Sequence, residues 1–153
     1  MEAKVKVGVV GLGFGASVHI PCLVNNRHAD VVALCARNSE RAREVADTHG
    51  IGTVYTDYRE MLSKAGLDAV VVATPDDLHY RMVNDALDSG LHVLCEKPLA
   101  LDSDQAAELC KKAGKIGVKH MTFFIFRARS WSVRSRQQGR TPCRSPSMVS
   151  VAS

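Results

Sequence analysis

The chain has 153 residues, 46% of them hydrophobic, with 20 Lys and Arg against 16 Asp and Glu and a formal net charge of +4. That is the length of about one domain with enough apolar residues for a core, which excludes disorder of the whole chain. No apolar run approaches the ~18 residues of a membrane span, and the N-terminus leads into the first strand without an apolar leader, so no membrane partner is expected.

The stretch Lys4 to Ala16, KVKVGVVGLGFGA, places the β-branched Val5, Val7, Val9 and Val10 in a run suited to a buried parallel strand. Ser17 to Asn25 reads as a helix, so Gly11, Gly13, Phe14, Gly15 and Ala16 lie at a strand-to-helix turn. A dinucleotide pyrophosphate binds at such a turn. Gly11 takes the tight bend, Gly13 lets the backbone approach the phosphates, and Ala16 is small enough for helix and strand to pack closely. The helix N-terminus adds free N–H groups and a partial positive charge.

The second strand is Val31 to Cys35, followed by a helix with Ser39 as N-cap, running through Arg41 to Thr48 and closed by Gly50. Thr53 to Tyr55 reads as a short strand. Asp57 and Glu60 have capping-box spacing for a helix that stops at Gly66. Ala69 to Ala73, AVVVA, is continuously apolar, as in a strand buried on both faces. After Thr74-Pro75 a helix is predicted from Asp77 to Ser89, with Met82, Val83, Ala86 and Leu87 on one face and Gly90 as its stop. His92 to Cys95 is the fifth strand, Asp102 and Gln105 open a helix through Leu109 to Ala113, and Val118 to Phe124 is the sixth strand.

Strand and helix thus alternate over residues 1–126, the pattern of an α/β, doubly wound parallel sheet of about six strands, a Rossmann domain. Charge divides the chain at the same place. All 16 acidic residues lie at or before Glu108, whereas residues 127–153 hold 6 Arg, 7 Ser and no acid. This segment has no apolar periodicity, contains two prolines and is expected to be a disordered basic tail. The five cysteines (Cys22, Cys35, Cys95, Cys110 and Cys143) form no C-x-x-C pair. They fit a reducing, cytoplasmic compartment, with neither a disulfide framework nor a metal site.

The residue that reads the adenosine ribose lies ~20 residues past the glycine turn, at the end of strand two. Where an NAD site places a carboxylate, this chain has Ala36-Arg37-Asn38-Ser39, with Arg41 one helical turn on. A guanidinium holds a phosphate bidentately and a serine at a helix start adds a donor, so NADP is preferred over NAD. The alternative is that Arg37 and Arg41 are ordinary solvated side chains. Thr74-Pro75 and Glu96-Lys97-Pro98 follow strands four and five, at the carboxyl edge where open α/β folds bind ligands. Lys97 is the candidate catalytic group, because its ammonium can donate to a carbonyl or hydroxyl. His79, on the first turn of the next helix, faces the same crevice or lies on the helix surface.

GVVGLGFGASVHIP, ATPDDLHY and HVLCEKPLA are similar to segments of the Gfo/Idh/MocA family, relatives of glucose-fructose oxidoreductase and inositol dehydrogenase, and the resemblance runs from residue 4 to about 126. It implies an N-terminal domain that uses NADP or NAD to oxidise or reduce a sugar, polyol or related carbonyl compound. Lys97 matches the family's lysine near the nicotinamide and substrate, and Pro98 the proline that shapes its turn. Thr74, Pro75 and His79 match a second cofactor segment, and Glu96 a cofactor-side carboxyl. Family members continue into a second domain that supplies the substrate pocket, an Asp/His pair and the oligomer surface. The expectation is therefore a truncated chain, inactive alone, whose residues after about Phe126 look like translation in a shifted frame. Two alternatives remain. The chain could be a non-catalytic dinucleotide-binding remnant or regulator, since no Asp-x-x-x-His pair follows Lys97. The tail could bind nucleic acid or an acidic surface, which is disfavoured because Trp131 is its only aromatic residue.

Overall fold

The alternating apolar runs become a single sheet in the computed structural model, which describes residues 3–124. The expected tail at 127–153 lies outside the described residues. Strands β1 (Val5–Val10), β2 (Ala29–Cys35), β3 (Thr53–Tyr55), β4 (Ala69–Val72), β5 (His92–Glu96) and β6 (His120–Phe123) take the order β3-β2-β1-β4-β5-β6. β1 pairs in parallel with β2 on one side and β4 on the other, β2 with β3, and β4 with β5. The helices are α1 (Ile20–Val24), α2 (Ser39–His49), α3 (Tyr58–Lys64), α4 (His79–Asp88) and α5 (Ser103–Ile116).

Because successive side chains of a strand point to opposite faces, β4 feeds two cores. Val70 and Val72 pack with Met61 of α3, with Met82, Val83, Ala86 and Leu87 of α4, and with Leu109 and Ala113 of α5. Val71 and Ala73 pack with Val7, Val9, Ile20 of α1, and Ala42 and Ala46 of α2. The predicted apolar face of α4 is thus the buried one. Helices cover both faces of the sheet, which is why its strands read as continuous apolar runs.

Several local boundaries differ from the sequence reading, each for a physical reason. The first helix does not start at Ser17: a π-helical turn over Gly15–His19 precedes α1, with the Ile20 N–H donating to the Gly15 carbonyl. Pro21 has no N–H to continue an ordinary ladder, and a π turn accommodates that gap. The cap of α2 is Asn38 rather than Ser39, its Oδ1 accepting from the Arg41 N–H at 2.9 Å. Asp57 caps α3 by accepting from the Arg59 N–H at 2.8 Å, but Glu60 does not reach back as a capping box requires. Its carboxylate takes Lys64 Nζ at 2.6 Å instead. α4 is preceded by a 3₁₀ turn over Asp76–Leu78. β2 starts two residues earlier than the apolar run, because Ala29 and Asp30 pair with Val5 and Lys6. β4 ends at Val72, β5 extends to Glu96, and β6 occupies His120–Phe123, within the predicted span.

Packing also sorts the cysteines. Cys35 and Cys95 lie in the core and burial pushes their thiols up to about 12, whereas Cys22 and Cys110 are exposed. The thiolate is the nucleophile, and at pH 8 a thiol with such a pKa is ionised to only ~1 part in 10,000. Iodoacetamide at pH 8 is therefore expected to alkylate Cys22 and Cys110 in the folded protein. Peptide mass mapping should find Cys35 and Cys95 modified only after denaturant is added; native labelling of either would contradict this packing.

Candidate functional site

Four turns meet at the carboxyl edge of the sheet, and β1 leads to the first of them. β1 stands between β2 and β4, so the chain crosses to opposite sides of it and a crevice opens where the order reverses. Gly11 bends there with φ +103°, a region that favours glycine, and its N–H donates to the Cys35 carbonyl at 2.9 Å. A Cβ on Gly11 would lie 2.2 Å from the Ala73 carbonyl oxygen. Gly15 also packs closely between helix and strand: a Cβ on it would stand 3.2 Å from Val9 Cγ1 and 3.5 Å from Ala73 Cβ. Ala16 is only half-buried.

Gly13 differs from both. A Cβ there would meet no protein atom within 4 Å, so nothing in the packing of the described residues demands glycine. The open space leaves the main chain at Gly13 accessible to a group approaching from outside. Among the described residues the N–H groups of Gly13 and Phe14 have no acceptor, and they stand at the start of the first helix. These features fit an anionic pyrophosphate. Phe14 is exposed and presents its ring edge-on to His19, with centroids 6.1 Å apart.

On the β2 side of the turn, Ala36 follows the strand, and Arg37, Asn38, Ser39 and Arg41 are all exposed. Asn38 is engaged as the helix cap, so its side chain is committed to the backbone. Arg37 and Arg41 make no side-chain hydrogen bond or ion pair among the described residues, which leaves both guanidinium groups available.

On the β4 and β5 side stands Lys97, exposed and without a hydrogen-bond or ion-pair partner among the described residues. The Lys97–Pro98 peptide is cis. Pro75 is exposed and opens the 3₁₀ turn, while Thr74 is half-buried with its hydroxyl 3.5 Å from Met82 Sδ. His79 is neither on the helix surface nor free toward the crevice: it is 0% exposed and both ring nitrogens are engaged. Nδ1 lies 2.6 Å from the Pro98 carbonyl oxygen and Nε2 2.8 Å from the Thr74 carbonyl oxygen. Glu96 is 8% exposed, and its Oε1 lies 2.7 Å from Nε2 of His19, itself 4% exposed. Sequence reasoning missed His19. Its only local signal is a titratable residue between the apolar Val18 and Ile20.

A doubly wound sheet with a glycine turn at its switch point, flanked by exposed arginines after β2 and a lysine after β5, defines a dinucleotide-binding domain. The model of an oxidoreductase family with an NAD-binding Rossmann fold matches residues 5–124. The chain belongs to that family, Gfo/Idh/MocA. It is 39% identical over 121 residues to D-xylose 1-dehydrogenase (NADP(+)) 2 of Haloferax volcanii, a match covering 78% of this chain and 37% of that protein. Among solved structures it is similar to a 3-ketoreductase from Actinomadura kijaniata in complex with TDP-benzene and NADP, with a TM-score of 0.78 and 30% identity, covering 89% of this chain and 44% of that one. It is also similar to scyllo-inositol dehydrogenase from Lactobacillus casei with bound NAD(H) and scyllo-inositol, with a TM-score of 0.78 and 25% identity, covering 89% and 42%. The chain spans about a third of the length of the curated relatives it matches. Among the described residues no helix is long and apolar enough to cross a membrane, and no group of three His, Cys, Asp or Glu could hold a metal ion.

Proposed function

We propose that residues 1–126 form a unit that binds NADP in preference to NAD and serves hydride transfer to or from a sugar, polyol or related hydroxy or carbonyl compound. The observation that carries the reading is Lys97, an exposed ammonium with no partner among the described residues, at the same sheet edge as the glycine turn. The bound nicotinamide supplies the hydride chemistry. The chain's own part is binding and orientation. Gly11, Gly13, Phe14, Gly15 and Ala16 form the turn for the pyrophosphate. Arg37 and Arg41, with Ser39, take the 2′-phosphate where a carboxylate would repel it. Thr74, Pro75, Glu96 and Pro98 shape the nicotinamide side, and Lys97 donates a hydrogen bond to the bound nicotinamide half and a proton or hydrogen bond to the reacting oxygen of the substrate. The free thiols Cys22, Cys35, Cys95 and Cys110 support a reducing, cytoplasmic setting.

Titration by fluorescence should show tighter binding of NADPH than of NADH. Arg37→Ala should remove a charge-assisted contact worth about 1.5–3 kcal/mol, a loss of about tenfold or more in NADPH affinity. Equal affinities in the parent, or an unchanged affinity in the variant, would refute the NADP reading.

Hydride transfer also needs the substrate carbon held ~3–3.5 Å from the nicotinamide. The turns described here supply one wall for that placement. These 153 residues by themselves are therefore expected to bind cofactor without turnover. The check is absorbance of NADP reduction across sugars, polyols and 2-hydroxy acids; turnover abolished by Lys97→Ala would disprove it.

A further inference from the structure

Lys97 has no side-chain bond among the described residues, so its direction is set by the main chain on either side. Both sides are held by buried histidines from different elements. Before it, Glu96 is bound by His19, which follows the glycine turn, at 2.7 Å. After it, the Pro98 carbonyl oxygen lies 2.6 Å from His79 Nδ1. His79 is the first residue of α4, a helix anchored by Met82, Val83, Ala86 and Leu87 in the core, and its other nitrogen grips the Thr74 carbonyl at 2.8 Å. With both nitrogens spent on backbone oxygens and the ring 0% exposed, His79 has nothing left to offer a ligand directly.

We propose that His79 is a positioning residue for Lys97: it ties the turn after β5 to the turn after β4 and so fixes where the ammonium stands over the nicotinamide half of the crevice. The inference rests on the reading of Lys97 as a residue of the nicotinamide side. The adenosine half lies at the β2 end, beyond the glycine turn, where His79 touches nothing. Loss of the tie should accordingly be felt by the nicotinamide half of the ligand and not by the other half.

The test uses two probes, NADPH and 2′,5′-ADP, the second carrying only the adenosine phosphates, titrated calorimetrically against the parent, His79→Gln, Lys97→Ala and the double variant. His79→Asn is carried in parallel in case the longer amide unfolds the chain, and thermal melts confirm folding. His79→Gln is expected to weaken NADPH about tenfold and to leave 2′,5′-ADP within about twofold. In the Lys97→Ala background the same change should add nothing, because the residue through which it acts is gone. Equal weakening of both probes would mark a general loosening and overturn the proposal. So would undiminished NADPH affinity, or a full His79 effect that persists without Lys97. A parent that binds neither probe would overturn the NADP reading itself, and this inference with it.

Discussion

Alanine at Gly11 is expected to destabilise the domain by about 3 kcal/mol or more, whereas alanine at Gly13 should leave stability within about 1 kcal/mol and remove cofactor binding. The difference follows from what each Cβ meets. At Gly11 it would stand 2.2 Å from the Ala73 carbonyl oxygen, 2.6 Å from the Ala73 carbonyl carbon and 3.1 Å from the Thr74 nitrogen. All three are backbone atoms, so no side chain can swing aside. Ala73 is held by its own N–H to the Val10 carbonyl at 2.8 Å, and Gly11 by its N–H to Cys35 at 2.9 Å. Relief would have to part β1 from β4 at the switch point. The φ of +103° adds strain for any L side chain. Gly13 has open space before it, so its methyl group would intrude only on what approaches from outside the chain. Urea denaturation followed by circular dichroism, beside NADPH titration, separates the two effects. A Gly11→Ala protein as stable as the parent, or a Gly13→Ala protein with undiminished affinity, would show that the turn works differently.

His19→Leu should cost about 3 kcal/mol, a large share of the ~5–15 kcal/mol that holds a typical domain together. The leucine would leave the Glu96 carboxylate, on a side chain 10% exposed, without its 2.7 Å partner. The loss is that of an uncompensated buried polar group, larger than the net worth of the hydrogen bond itself. Removing both groups should therefore be milder than the sum of the single changes, since an apolar pair asks for no partner. Denaturation midpoints of His19→Leu, Glu96→Leu and the double variant measure this directly. A His19→Leu protein within about 0.5 kcal/mol of the parent would mean that water or another group replaces the histidine at little cost.

What the sequence by itself determined is the part of this protein that local rules control. Valine runs and glycine stops mark β1 to β6 and the helices between them, because side-chain period and backbone freedom are properties of neighbouring residues. The glycine turn after β1 and Lys97 after β5 were legible for the same reason: each sits one step past a strand end, and in a parallel sheet strand ends share an edge. Only the tertiary structure decided that Gly15 stands in close helix–strand contact, since that depends on how closely the first helix lies on Val9 and Ala73. It also decided that Glu96 faces His19 across 77 residues of chain, and that His79 spends both nitrogens on the Thr74 and Pro98 carbonyls. A polar side chain finds its partner through strand order and register. Neither is written in the spacing of the residues themselves, so a histidine that braces two turns reads along the chain like one that lines a crevice.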